Sequence, residues 1–219
     1  MPGRFITLEG GEGVGKSTLV KGLALAIEAA GQKVVTTREP GGTAGADQIR
    51  ALLVTGDNAR WSALTETLLL TAARNDHLER VIRPALARGD WVLCDRYIDS
   101  TLAYQAAAGG LPAAFVTTLG DLISAPAPDL TLLLDLDPAV GLVRAGSTAA
   151  GEARYEARDV AFHQRVRAAF LDIAAGAPTR CAVIDASAPR PDVLRAACET
   201  VAMFRGRAAQ RPGEIVAVP

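Results

Sequence analysis

Short runs of hydrophobic residues alternate along the chain with longer segments whose apolar positions recur every three or four residues. The short runs cover residues 4–9, 33–38, 91–95, 130–135 and 180–185 and predict five strands. The longer segments cover residues 16–30, 62–88, 112–124, 138–145 and 189–204 and predict helices. Nearly continuous apolar strands joined by helices are typical of a parallel sheet covered on both faces. Ligands of such sheets bind beyond the carboxyl ends of the strands, so we expect function in the loops that follow them.

Length and composition indicate one globular domain of the kind found in enzymes. The chain has 219 residues, of which 49% are hydrophobic and 21% charged, and its formal net charge is -1. A chain of this length buries an adequate core in a single domain, and the balanced charge disfavours a polynucleotide partner. We assign residues 1–204 to the domain and residues 205–219 to a C-terminal tail.

Signals for targeting or crosslinking are weak. Cys94, Cys181 and Cys198 lack the spacing of a zinc site or of a disulfide framework, so we expect reduced thiols. The N-terminal region lacks the apolar core of a signal peptide, and every apolar run is too short to span a membrane. We therefore expect a cytoplasmic protein.

A glycine-rich segment directly after the first predicted strand matches the pattern GxxxxGK[ST]. Together with the threonine that follows, its residues are Gly10, Gly11, Glu12, Gly13, Val14, Gly15, Lys16, Ser17 and Thr18. Between a strand and a helix, such a loop holds the phosphates of a nucleoside triphosphate with backbone N–H groups and the lysine, while the serine binds magnesium. We predict an ATP site over residues 10–18; a chance glycine-rich turn is the alternative.

Asp95 and Arg96 stand side by side at the end of the third predicted strand. A phosphate-binding fold places the carboxylate that holds magnesium at this position. The planar fork of an arginine suits an anionic substrate. We predict Ser17 and Asp95 as the magnesium ligands, with a simple turn cap as the alternative role for Asp95.

Four blocks of residues make the chain resemble thymidylate kinases over nearly all of residues 4–204. They are residues 8–18, residues 38–43 (REPGGT), residues 72–74 with His77, and residues 95–105 (DRYIDSTLAYQ). The resemblance implies an α/β P-loop NTPase fold, with a five-stranded parallel sheet and helices on both faces, as in nucleoside monophosphate kinases. It also implies ATP-dependent phosphorylation of dTMP to dTDP with Mg²⁺, as a step of dTTP biosynthesis, in a homodimer.

The same resemblance assigns the substrate-binding residues. They are Arg38, Glu39, Pro40, Arg50, Leu70, Arg74, Arg96, Ser100, Thr101, Tyr104 and Gln105. Three of the arginines, at positions 38, 50 and 96, would hold the acceptor phosphate. The arginine at position 74 would read the thymine edge, with residues 100, 101 and 105 nearby.

Individual positions refine this assignment. Tyr104 would lie against the sugar and disfavour a ribose hydroxyl, and Glu12 would face the sugar hydroxyl that remains. We expect a cis peptide before Pro40. Leu70 stands where similar enzymes commonly have a phenylalanine stacked on thymine, so selectivity for that base is expected to be weaker.

The predicted catalytic residues are Lys16, Arg96, Asp95, Glu12 and Arg154. Because the acceptor phosphate is already ionised, catalysis requires alignment and charge neutralisation rather than a general base. We expect a lid around residues 144–158. Similar enzymes with glycine in the phosphate loop supply an arginine from this lid, and Arg154 is the predicted one.

Two other functions stay open at this stage. One is a kinase of the same class that acts on another nucleotide or on a deoxynucleoside. The other is a non-catalytic nucleotide-binding module that regulates a partner. The arginine blocks at positions 38 and 96 argue against a module, because a switch has no need of a second anion site.

Overall fold

A five-stranded parallel sheet forms the centre of the computed structural model, which describes residues 3–57, 60–146 and 153–209. The strands are β1 (Phe5–Glu9), β2 (Val34–Arg38), β3 (Trp91–Asp95), β4 (Leu130–Asp135) and β5 (Cys181–Asp185). Their order across the sheet is β2-β3-β1-β4-β5. The three inner strands are almost entirely buried, whereas the edge strand β2 is largely half-buried or exposed. The five predicted strands and their parallel arrangement are confirmed.

Helices connect the strands and cover both faces of the sheet. They are α1 (Lys16–Ala29), α2 (Ala44–Val54), α3 (Ala63–His77), α4 (Arg83–Ala87), α5 (Ile98–Thr101), α6 (Ala113–Leu122), α7 (Pro138–Gly146), α8 (Ala153–Glu156), α9 (Val160–Gly176) and α10 (Arg190–Ala209). A π-helical segment, Leu78–Ile82, joins α3 to α4, and another, Leu102–Ala107, extends α5. Within the described ranges, no helix combines the length and the apolar character needed to cross a membrane.

Hydrophobic layers attach the helices to the two faces of the sheet. On one face, α1 and α10 pack on β4 through side chains that include Leu23, Leu132 and Val201. On the opposite face, α9 packs on the next residue of β4 through Phe170. Because successive strand residues point to opposite faces, one apolar strand serves both layers. This arrangement places the loops after the strands at one accessible edge.

Several elements differ from those predicted. The hydrophobic pattern predicts no helix at α2, α5, α8 or α9. Two of these begin at side-chain caps: Thr43 accepts from the backbone N of Ala46 at 3.0 Å, and Asp159 accepts from the backbone N of Phe162 at 2.7 Å. The last helix, α10, continues to residue 209, so residues 205–209 of the predicted tail are helical. Residues 210–219 of the predicted tail and 147–152 of the predicted lid lie outside the described residues.

The strand order brings two functional loops together. β1 and β3 are neighbours, with Leu8 opposite Asp95. The phosphate loop follows β1, and the Asp95-Arg96 pair ends β3, so both lie at the same carboxyl edge of the sheet. This is the position at which ligands bind in open parallel sheets.

Candidate active site

The phosphate loop turns tightly between β1 and α1. Gly13 and Gly15 have φ angles of 66° and 94°, in the left-handed region that glycine adopts without strain. A side chain at Gly13 would also lie 1.9 Å from the carbonyl oxygen of Gly141 on α7. The loop ends at the N-terminus of α1, where the helix dipole favours a bound phosphate.

Lys16 lies across the phosphate loop. Its ammonium group donates to the carbonyl oxygens of Gly10 at 3.1 Å and Gly11 at 2.7 Å. Burial, and then repulsion from Arg96, lowers the pKa of Lys16 to about 8, against the opposing effect of Asp95. A bound phosphate would add negative charge beside the ammonium group and favour its charged form.

Ser17 and Asp95, the two predicted magnesium ligands, are in direct contact. The Ser17 hydroxyl donates to Oδ2 of Asp95 at 2.8 Å, although 78 positions separate the two residues in the chain. Both groups offer the oxygen ligands that Mg²⁺ prefers. The donor set therefore fits this ion when it arrives with nucleotide phosphates.

Arg96 occupies the centre of the site in a left-handed backbone conformation, with φ of 69°. Its guanidinium donates to the carbonyl oxygen of Gly10 at 3.0 Å, to the Ser100 hydroxyl at 3.2 Å and to Oε1 of Glu12 at 2.9 Å. It also lies over the ring of Tyr104, with 5.1 Å between Cζ and the ring centroid. These contacts hold the guanidinium between the phosphate loop and the π-helical segment after α5.

Glu12 is the counter-charge of this arginine. Burial acts to raise its pKa, but Arg96 and then Lys16 outweigh burial and hold the pKa of Glu12 at about 2. The hydroxyl of Tyr104 donates to the same Oε1 atom at 2.8 Å. The carboxylate therefore stays ionised and fixes both neighbouring side chains.

A second group of polar side chains is buried around Arg74. The guanidinium of Arg74 donates to Oε2 of Glu39 at 2.7 Å and to the Thr101 hydroxyl at 3.1 Å. The other oxygen of Glu39 lies 3.2 Å from Nδ1 of His77. Arg74 and Glu39 are 3% and 4% exposed. They therefore form a fixed set of donors and acceptors suited to a polar ring edge.

The other predicted phosphate ligands lie on either side of the loop after β2, with Arg38 at the end of the strand and Arg50 on α2. The peptide bond between Glu39 and Pro40 is cis, which confirms the expectation for this bond. The guanidinium of Arg50 donates to the carbonyl oxygen of Pro40 at 2.7 Å. Arg38 is more exposed and lies 3.5 Å from Asp47, so its guanidinium is accessible to a ligand.

One cleft of about 1170 Å³ contains nearly all of the predicted site residues. Its lining includes residues 12–18 of the phosphate loop, the Asp95-Arg96 pair and every predicted substrate-binding residue. Gly10 and Gly11 instead border a smaller hollow behind the loop. The structure thus brings the donor and acceptor sets predicted from the sequence into one continuous space.

Arg154 occupies a different place, outside the lining of this cleft. It is 2% exposed and forms an ion pair with Oε1 of Glu66 at 2.5 Å. The next two residues, Tyr155 and Glu156, do line the cleft. A role for Arg154 at the transferred phosphoryl group stays a prediction.

Comparison with known proteins decides the family. The family model described as thymidylate kinase matches residues 8–197. The chain belongs to the thymidylate kinase family. It is 52% identical over 205 residues to a thymidylate kinase of Caulobacter vibrioides, an alignment that covers 93% of this chain and 98% of that relative. It is 51% identical over 206 residues to one of Rhizorhabdus wittichii, covering 92% and 98% of the two chains.

A solved thymidylate kinase from Ehrlichia chaffeensis has the same fold. It aligns with a TM-score of 0.75 and 32% sequence identity, covering 92% of this chain and 100% of that one. The P-loop NTPase fold expected from the sequence is therefore confirmed.

Two residues in or beside the cleft are not among those predicted from the sequence. Glu66 is 4% exposed on α3, and Tyr155 reaches the cleft from α8. The positions of Glu66, Leu70 and Arg74 give a usable signal, because residues four apart on a helix share one face. Tyr155 offers no such signal, because its position depends on how α8 packs against α2 and α7.

Proposed function

We propose that this thymidylate kinase family member transfers the γ-phosphoryl group of ATP to dTMP and releases dTDP and ADP. The observation that carries the proposal is the single cleft that joins the phosphate loop to a second pocket lined by Arg74, Arg96 and Tyr104. A nucleotide-dependent switch needs only the first of these sites. A kinase needs both, because donor and acceptor must be aligned for in-line transfer.

The side chains around the phosphate loop account for charge neutralisation. The ammonium group of Lys16 would contact the outer phosphates of ATP, and the guanidinium of Arg96 would lie between donor and acceptor. Glu12 would keep this arginine oriented, since the two groups already form a 2.9 Å ion pair. The chain supplies no proton transfer in this scheme, because the acceptor phosphate attacks as an anion.

We infer that Ser17 and Asp95 hold a magnesium ion. Their 2.8 Å hydrogen bond shows that the two oxygens are close enough to contact one ion. When bound with ATP, the ion would neutralise charge on the β- and γ-phosphates. The backbone N–H groups of the phosphate loop and the ammonium group of Lys16 would orient the same phosphates.

The acceptor pocket supports a pyrimidine deoxynucleotide. Arg74 is fixed by Glu39 and Thr101 and can donate to a base carbonyl. Tyr104 is fixed by its bond to Glu12, so its ring can limit the space beside the sugar. Leu70 lines the same cleft and would contact the base face. We also propose that this reaction is a step toward dTTP, because its product, dTDP, requires one more phosphorylation to become the triphosphate. We propose that the enzyme acts in the cytoplasm.

We also propose a homodimer, as the family resemblance implies. Leu64 and Leu68 lie one turn apart on α3 and are 44% and 47% exposed. Two leucines on one exposed helix face form a patch that a second copy could cover.

A coupled assay of ADP release, with ATP, magnesium and a panel of nucleoside monophosphates, tests the acceptor. We expect dTMP to give the highest kcat/KM, followed by dUMP, because Leu70 offers only apolar contact with the base face. Equal or higher kcat/KM for a ribonucleotide or purine would overturn the acceptor assignment, and no turnover with any acceptor would favour a nucleotide-binding module.

A matched pair of lysine variants tests whether the activity belongs to this cleft. Lys16→Met should lower kcat by about 10²–10³-fold, because a group that neutralises transition-state charge is lost. Lys21→Met, at an exposed position of the same helix α1, should leave it unchanged. Equal activity of the two variants would assign the turnover to another site.

A further inference from the structure

Glu66 is a buried carboxylate that receives hydrogen bonds from two other elements. It lies on α3 and is 4% exposed. Its partners are Arg154 and Tyr155 of α8, and Gln105 of the π-helical segment that follows α5. The first two belong to the predicted lid, and the third belongs to the predicted acceptor pocket. One carboxylate therefore joins these two parts of the molecule.

Arg154 uses its guanidinium to attach α8 to the region around the end of α2. Nη2 donates to Oε1 of Glu66 at 2.5 Å. Nη1 donates to the carbonyl oxygen of Leu53 at 2.9 Å, and Nε donates to that of Asp57 at 2.9 Å. The planar fork of arginine suits three acceptors held in fixed directions, because its donors are spread over three nitrogen atoms.

The second oxygen of Glu66 connects to the acceptor pocket. It accepts from Nε2 of Gln105 at 3.0 Å and from the hydroxyl of Tyr155 at 3.2 Å. The same Gln105 nitrogen lies 3.3 Å from the Tyr155 oxygen. Both of these side chains line the cleft. A shift of α8 would therefore disturb the hydrogen bonds of Gln105, a side chain that lines the cleft.

The contacts continue from α8 toward the phosphate loop. The rings of Tyr155 and Tyr104 meet edge to face, with centroids 5.7 Å apart. Tyr104 in turn donates to Glu12 at 2.8 Å. The contacts therefore run from α8 through the acceptor pocket to Glu12, the carboxylate that holds Arg96.

We propose that Glu66 is a positioning residue that couples α8 to the acceptor pocket. In this proposal Arg154 is the ion-pair partner of Glu66 and does not act on the transferred phosphoryl group. We call the ion pair between Glu66 and Arg154, with the hydrogen bonds from Tyr155 and Gln105 to Glu66, the latch. The proposal rests on the function proposed above. A buried ion pair that loses one partner leaves the other charge uncompensated. Changes at Glu66 and Arg154 should therefore have the same consequence for acceptor binding.

A double-mutant cycle of Glu66→Gln and Arg154→Met tests this latch. The dissociation constant of dTMP is measured by calorimetry without ATP, and kcat and KM are measured in the coupled assay. Each single variant should weaken dTMP binding by roughly 10-fold or more, and the double variant should be no weaker than the worse single one. The controls are Glu79→Gln, exposed on the π-helical segment after α3, and Arg195→Met, exposed on α10; both should match the wild type.

Two results would overturn the latch. One is a double variant whose loss in dTMP affinity equals the product of the two single losses. The other is an Arg154→Met variant with unchanged dTMP affinity and a kcat lower by about 10³-fold, beside a Glu66→Gln variant of normal kcat. That second pattern would assign Arg154 to the transferred phosphoryl group.

Tyr155→Phe provides a milder test if the charge variants fail to fold by circular dichroism. It removes only the hydroxyl that contacts Glu66 and Gln105, so dTMP affinity should fall by about 3–5-fold. Unchanged affinity would count against the latch. Absence of dTMP binding and turnover in the wild type would instead remove the proposed function, and the latch with it.

Discussion

Glu9 is a buried carboxylate that ends β1 directly before the phosphate loop. It is 1% exposed, and burial, followed by the charge of Asp99, raises its pKa to about 8. Its oxygens accept from the backbone N of Tyr97 at 2.8 Å and lie 2.6 Å from the Ser100 hydroxyl. At the scale of single residues, Glu9 therefore holds the loop that carries Arg96.

The raised pKa predicts how stability depends on pH. In the folded chain Glu9 keeps its proton up to about pH 8, whereas in the unfolded chain it loses the proton near 4.5. The folded state binds more protons across this interval, so the contribution of Glu9 to stability falls as the pH rises, by roughly 1.4 kcal/mol per pH unit. Glu9→Gln should remove that contribution, which urea unfolding between pH 5 and 8 would measure.

Glu79→Gln is the control for this experiment, because Glu79 is exposed. It should leave the pH dependence of unfolding as in the wild type. If Glu9→Gln also leaves that dependence unchanged, Glu9 does not hold its proton in the folded state.

At the scale of elements, the close approach of the phosphate loop to α7 determines the shape of the donor site. A side chain at Gly141 would lie 2.4 Å from the carbonyl oxygen of Glu12. Two backbones can approach this closely only where the facing residue has no Cβ atom. The position of the loop therefore depends on a glycine far along the chain.

Gly141→Ala should move the phosphate loop away from α7. We expect a loss of about 1–3 kcal/mol in the free energy of unfolding, because the added carbon forces a backbone shift, together with weaker ATP binding measured by calorimetry. Gly176→Ala, near the end of α9, meets no atom within 4 Å and should be neutral or stabilise by up to about 1 kcal/mol. Equal behaviour of the two variants would show that the loop does not depend on this contact.

At the scale of the whole molecule, the exposed face of α3 determines the proposed assembly. Leu64 and Leu68 are exposed, whereas Glu66 and Arg74 of the same helix are buried. A dimer through this face would hold the helix that supports the acceptor pocket.

Leu68→Glu should shift the protein from dimer to monomer, because it introduces a charge at the centre of an apolar contact. Light scattering after gel filtration gives the mass of each form. The matched control is Leu122→Glu, at an exposed leucine of α6, which should stay dimeric. A monomeric wild type, or a Leu68→Glu variant that stays dimeric, would contradict an interface on this face.

The sequence by itself determined the strands, the phosphate loop and the family. Apolar runs mark strands because those strands are buried on both faces. The pattern around Lys16 predicts a phosphate site because that chemistry requires these residues in sequence order. Asp95 and Arg96 are recognisable for the same reason, since they follow a strand directly. Such local rules need no knowledge of distant contacts.

Only the tertiary structure decided which side chains meet across long separations. Glu66 and Arg154 are 88 positions apart, and their ion pair depends on α8 folding back over the ends of α2 and α3. Gly13 and Gly141 likewise meet only after β4 has joined the sheet beside β1. No pattern along the chain encodes these pairs, because each arises from the packing of elements whose positions depend on all the others.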